Sequence, residues 1–191
     1  MLLFLALALT MPSPCPALAP RPALAEDDAD IRKELESQYA KLVEAHNRRD
    51  LKAIANLKTQ DFHAIFPDGR VGDVKTMAEY TAQFIQNNQP PFHIKNTIQK
   101  LTVSENRLIA VAEVFQEVSR TRDLAGKVRQ VDTSVMQRET WSRTAEGWKL
   151  KSVDNVRDQK RFVDGKRVDP TKPYDPNAAP FEPDSSGAAK P

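Results

Sequence analysis

The sequence predicts a single small α+β domain with its helices first and its sheet second. Three observations carry that expectation. Apolar residues recur at three- and four-residue steps as far as the Asn87-Asn88-Gln89-Pro90-Pro91 stretch, which is helical spacing. From Phe92 to Val156 the pattern changes to strand-like alternation. The last segment is a hairpin: Val131 to Trp141, a turn at Thr144-Ala145-Glu146-Gly147, then Trp148 to Val156, with a tryptophan on either side of the turn.

Each element has a local reason. Asp30 can cap a helix running to about Asn47, with Ile31, Leu35, Tyr39, Leu42, Val43 and His46 on one face. Asp50 is a second cap, opening a short helix with Leu51, Ile54 and Leu57 inward. Phe62 to Phe66 reads as a short strand, and Pro67-Asp68-Gly69-Arg70 as a turn in which Gly69 is free to take positive φ. A third helix from Asp73 carries Met77, Tyr80, Phe84 and Ile85 on one stripe, and Pro90 and Pro91 forbid its continuation. Four strands follow at Phe92–Val103, Arg107–Ser119, Val128–Trp141 and Trp148–Val156, separated by turns at 104–106 and 121–127. Leu108 to Phe115 is apolar on both faces apart from Glu113, as in a strand covered on each side.

The flanks differ from the domain. Residues 1–25 read as a signal peptide: an apolar run from Met1 to Leu9, too short to span a membrane, precedes Pro12, Pro14 and Pro16. Cutting after Ala19 would leave Pro20 first, so Ala23-Leu24-Ala25 is the expected site and the periplasm or exterior the expected location. Cys15 leaves with the leader, and with it disulfides, thiolate metal sites and a cysteine nucleophile. The full chain carries a net charge of +2, and losing Arg21 leaves about +1. Such a balance gives no electrostatic case for nucleic acid or an anionic membrane. Residues 26–164 are the expected domain. Residues 165–191 are proline-rich and read as a disordered tail, whose deletion from about Asp169 is expected to leave the thermal midpoint nearly unchanged.

The order of elements resembles the nuclear-transport-factor-2-like superfamily, closest to the exported bacterial branch near SnoaL-like and ketosteroid-isomerase-like proteins. The residues that carry it are Asn47-Arg48-Arg49-Asp50-Leu51, Asp61-Phe62, Pro67-Asp68-Gly69-Arg70 and Glu146-Gly147-Trp148-Lys149-Leu150. The resemblance implies a cone-shaped barrel, its curved, mainly antiparallel sheet wrapped around the long N-terminal helix, with a conical pocket between sheet and helices. In the isomerase-like members a carboxylate stands just before the turn proline; here that position is Phe66, which cannot exchange a proton. Their long-helix tyrosine has no counterpart by spacing, because Tyr39 lies about one turn too early relative to Asp50.

The expected ligand-binding residues are Tyr80, Phe84, Glu113, Asp132, Arg138 and Asp154, with no catalytic residue assigned. Strand pairing brings Glu113, Arg138 and Asp154 together, and Tyr80 and Phe84 would form an apolar wall. Glu113 is either a carboxylate in apolar surroundings beside Val111 and Phe115, or the partner of Arg129 or Arg138. Asp132, Ser134, Met136, Arg138 and Thr140 share a strand face, either solvated or lining the pocket, where Arg138 could hold a ligand carboxylate. His46, His63 and His93 form no metal motif, and no metal or cofactor is expected. The resulting expectation is a domain that binds a small apolar or amphipathic molecule. The alternatives are a SnoaL-like cyclase, isomerase or dehydratase using Glu113 or Asp154 as base, and a homodimeric interaction module. An open rather than a filled cone separates the first two from the third.

Overall fold

A computed structural model describes residues 23–179 and residue 181. The elements run α1 (Ala23–Asn47), α2 (Leu51–Asn56), β1 (Lys58–Ile65), β2 (Val71–Gly72), α3 (Val74–Asn87), β3 (Gln89–Val103), β4 (Ile109–Leu124), β5 (Lys127–Thr144), β6 (Gly147–Val163) and β7 (Lys166–Val168). The expected signal peptide falls outside the described residues as far as residue 22, and α1 already begins at Ala23, three residues before the expected cut.

Two of the three expected helix caps form; Asp30, the third, lies inside α1, which already begins at Ala23. Asp50 accepts from Ala53 N at 2.9 Å and Asp73 from Thr76 N at 2.8 Å, satisfying a first-turn donor of each helix. Gly69 takes φ 82° in the turn closed by Phe66 N donating to Arg70 O. The long hairpin turns more tightly than the sequence suggests. Ala125 (φ 54°) and Gly126 (φ 74°) make a two-residue turn, so β4 and β5 take all of the 121–127 stretch except those two residues; a positive-φ pair matches the strand twist. Strand β6 runs to Val163, well beyond Val156. Asn155 (φ 49°) and Asp158 (φ 55°) interrupt its alternation at irregular register steps without ending its pairing with β5.

The sheet order is β2-β1-β6-β5-β4-β3, with β7 paired to β6; β1 is parallel to β6 and every other pair is antiparallel. The sheet is therefore an open curved wrap and not a closed barrel. Helix α1 covers the free edge of β3: Arg32 Nη1 donates to Ile98 O at 2.8 Å, Asn47 Nδ2 donates to Phe92 O at 3.0 Å, and Phe92 N donates to Asn47 Oδ1 at 2.7 Å. Those bonds occupy backbone groups that an edge strand would otherwise expose. The edge position also explains how β3 tolerates Pro90 and Pro91.

The core has two parts. Ile31, Leu35 and Tyr39 of α1 pack on Ala110, Ala112, Val114, Trp141 and Trp148 in the half that holds the last hairpin. Ala45, Ile54 and Ile85 tie α1 to α2 and α3 in the other half. The hairpin is also pinned by a carboxylate: Trp148 Nε1 donates to Glu34 Oε2 at 2.6 Å and Arg143 Nη2 to Glu34 Oε1 at 3.3 Å.

The boundary expected at residue 165 does not hold. Gly165 (φ 76°) is a turn residue, and β7 continues the sheet beyond it. Arg161 Nη2 then donates to Asp169 O and Lys172 O, both at 2.6 Å, and the Arg129 guanidinium lies 5.4 Å from the Tyr174 ring centroid. Ending the chain at Val168 removes these contacts. We expect a loss of about 1–2 kcal/mol, the net worth of two hydrogen bonds that are part-buried or exposed, read by urea unfolding; an unchanged midpoint would restore the dispensable tail.

Candidate functional site

The pairing expected from sequence is present. Glu113 stands opposite Arg138 across β4–β5, and Arg138 opposite Asp154 across β5–β6. Arg138 Nε donates to Asp154 Oδ1 at 2.6 Å, and Arg157 Nη2 donates to Glu113 Oε2 at 2.7 Å. The face is the wrong one. On β4 the sealed residues are Ala110, Ala112 and Val114, and on β5 they are Gln137, Glu139 and Trp141, so Glu113 and Arg138 project away from α1. Glu113 is thus a solvated ion-pair member and not a carboxylate in apolar surroundings, and Arg138 is half exposed. The bulkier set, Val111, Phe115 and Met136, shares that outer face. Alanines take the inner one because they let the helix approach the sheet.

The expected apolar wall also divides. Tyr80 is 40 % exposed and meets the Phe66 ring edge-on at 5.7 Å. Phe84 is half-buried against His46 (6.0 Å) and Phe92 (5.3 Å). Asp132 accepts from Gln130 Nε2 at 3.0 Å.

What the sequence reading missed is a buried polar centre. Glu139, 3 % exposed, accepts three hydrogen bonds: from Tyr39 Oη at 2.6 Å and Trp141 Nε1 at 3.0 Å on Oε2, and from Gln137 Nε2 at 2.7 Å on Oε1. Burial pushes the Glu139 carboxyl above its ordinary value, against the downward pull of its three donors. Burial and the adjacent carboxylate likewise push the Tyr39 hydroxyl up. The Tyr39 ring meets Trp141 edge-on at 5.5 Å. An acid two residues before a tryptophan, on one strand face and opposite an inward helix tyrosine, was the available signal. The centre is closed over, so the cone is filled in the hairpin half.

The opposite half is open. A cleft of about 680 Å³ lies where Val43 and Asn47 of α1 meet Phe92 and Lys95 of β3, Val118 of β4, and Asp132 and Thr133 of β5. A smaller cleft of about 210 Å³ shares Val118 and Thr133 and adds Gln116, Val135, Arg161 and Pro170. Arg120 adjoins both through its Nη1 bond to Thr133 Oγ1 at 3.0 Å; its Nε donates to Asn88 Oδ1 at 3.0 Å, and its guanidinium lies 5.3 Å from the Phe84 ring centroid. His46 packs on the same ring, and burial lowers its pKa, with Nδ1 donating to Leu42 O at 2.8 Å. Among the described residues no group of three or more side chains is placed to hold a metal ion, and no helix is long and apolar enough to cross a membrane.

No family profile and no curated protein matches the chain. Solved structures do. A conserved protein from Planctomyces limnophilus aligns over 68 % of this chain and 98 % of its own, with TM-score 0.55 and 19 % identity. A nuclear transport factor 2-like superfamily protein from Salmonella enterica serovar Typhimurium aligns over 66 % and 90 %, with TM-score 0.51 and 15 % identity. A type 2 hexachlorocyclohexane dehydrochlorinase aligns over 80 % and 99 %, with TM-score 0.55 and 8 % identity. The architecture is therefore an open cone of the nuclear-transport-factor-2-like fold. That fold accommodates ligand-binding and enzymatic roles alike.

Proposed function

We propose that this protein is an exported domain that binds a small amphipathic molecule in the half of the cone away from the last hairpin. The observation that carries the reading is the contrast between the two halves. One is filled around Glu139, while the other holds a cleft of about 680 Å³ with apolar Val43, Phe92 and Val118 beside polar Asn47, Asp132 and Thr133. Apolar walls with a few polar groups are the usual make-up of a small-molecule site. The apolar leader sequence supports export. Val111, Phe115 and Met136 on the outer face support a homodimer through the sheet.

The enzyme reading moves to a different carboxyl. Glu113 and Asp154 each have an arginine partner on the outer face, whereas Glu139 combines burial with a raised pKa, the setting a general acid requires. Its closed surroundings make binding the stronger reading.

Val118 borders both clefts, so Val118→Trp is the test. Compounds that raise the thermal midpoint of the wild-type chain should lose at least about tenfold in affinity, one or two apolar contacts' worth. Tyr80→Ala, outside the clefts, should change nothing. Full retention of binding in Val118→Trp would overturn the reading.

A further inference from the structure

Three arginines also gather beside the open half of the cone. Arg120, Val118 and Thr133 face the same interior, because Val118 pairs with Thr133 and Thr133 with Arg161 across adjacent strands. Thr133 thus has Arg161 as its cross-strand neighbour and the Arg120 guanidinium on its hydroxyl. Arg122 lies two residues along β4 from Arg120, on the same face. The three cations feel one another: burial first, then Arg122 and Arg161, push Arg120 down from 12.5 to about 10.

These guanidiniums are under-compensated. Arg120 uses Nε and Nη1 on neutral acceptors, Asn88 and Thr133, and among the described residues nothing accepts from its Nη2. The Arg122 side chain makes neither a hydrogen bond nor an ion pair among them, although its backbone pairs with Arg129. Arg161 spends Nη2 on two backbone carbonyls, and its buried Nε has no acceptor. Two carboxylates lie within range: Asp132 acts on Arg120 and Asp169 on Arg161. Neither forms an ion pair with these arginines, since Asp132 accepts from Gln130, and Asp169 from Thr171 with Lys172 beside it. Partly buried cations without a carboxylate in direct contact are costly unless something completes them.

We propose that Arg120, Arg122 and Arg161 form a recognition site for the carboxylate of a small organic acid, whose apolar body lies in the adjoining cleft along Val118, Val135 and Pro170. The inference rests on the binding reading above and narrows its ligand. Guanidinium forks match a carboxylate bidentately, and charge-assisted bonds in a partly dry cleft are the strong kind. Val118, Val135 and Pro170 beside the cations offer an organic acid apolar contacts that an inorganic anion cannot use. The position of Pro170 and of the carbonyls of Asp169 and Lys172 makes the segment after β7 one side of the site.

The test is calorimetric titration of the full chain with benzoate and hexanoate, their neutral amides, and inorganic phosphate. The acids should bind, and each amide should bind at least about tenfold more weakly, the loss expected when charge-assisted bonds go. Arg120→Gln and Arg161→Gln should each weaken the acids by a similar factor, with Arg138→Gln on the outer face unchanged. Arg122→Gln removes no hydrogen bond of the fold, so it carries the test if the other two variants unfold. Equal binding of acid and amide would overturn the carboxylate site while leaving the binding reading intact. Phosphate binding more tightly than either acid would overturn the organic-acid assignment. Unchanged acid affinity in folded arginine variants would overturn the assignment of these residues. Failure of acids and amides alike would overturn the proposal, and Val118→Trp against other compounds would then decide the broader reading separately.

Discussion

Replacing Trp141 with alanine is expected to lower the unfolding free energy by about 3–5 kcal/mol, the range for a buried large aromatic. The ring is 2 % exposed and packs edge-on against Tyr39. Its Nε1 is also one of two donors to Glu139 Oε2. The substitution therefore opens a cavity and strips a donor from a buried carboxyl at once. Trp141→Phe separates the two effects: it keeps most of the ring and should cost about 1–3 kcal/mol, as a lost buried hydrogen bond does. Urea unfolding of the pair reads both numbers. A cost below about 1 kcal/mol for the alanine variant would mean that the hairpin half is not packed as described.

Glu139 governs the second large effect. Glu139→Leu leaves Tyr39, Trp141 and Gln137 with unsatisfied buried donors, each worth about 1–3 kcal/mol. Glu139→Gln keeps an acceptor and removes the charge, so its effect depends on pH. The folded carboxyl titrates above its ordinary value of 4.5, because burial disfavours the ionised form. The native state therefore holds the proton where the unfolded chain releases it. The stability this gives is fully present below about pH 4.5 and is lost as pH rises through the folded value. Wild-type stability should fall relative to Glu139→Gln as pH rises above 4.5. Asp61, Asp68 and Asp73, whose pKa values are depressed by hydrogen bonds, act in the opposite sense at lower pH. They are common to both proteins and cancel in the difference. A pH-independent difference would show that Glu139 does not titrate with folding.

The sequence made the helices legible because their signals are local. Asp50 and Asp73 cap where cap chemistry puts them, and the Pro90-Pro91 pair follows the end of α3. Strand pairing was legible too: Glu113, Arg138 and Asp154 do align. Which face turns inward was not, because alternation is equally good in both parities. Val111, Phe115 and Met136 make the outer face look like a core, and the inner face carries alanines together with a buried acid. The end of the domain was obscured for another reason. Asn155 and Asp158 break the periodicity of β6, and the contacts beyond Val168 are made largely by backbone carbonyls, which no residue pattern encodes. Arg120, Arg122 and Arg161 are spread over two strands in the sequence, and only the register of β4, β5 and β6 assembles them.

Binding is proposed in the open half of the cone and not in the half filled around Glu139. Amide-shift mapping of the isotope-labelled chain during titration with hexanoate tests it most directly. Shifts should centre on Phe92, Val118, Thr133, Arg120 and Arg161, with Tyr39, Glu139 and Trp141 undisturbed. Shifts centred on Glu113, Arg138 and Asp154, or on Tyr39 and Glu139, would contradict it.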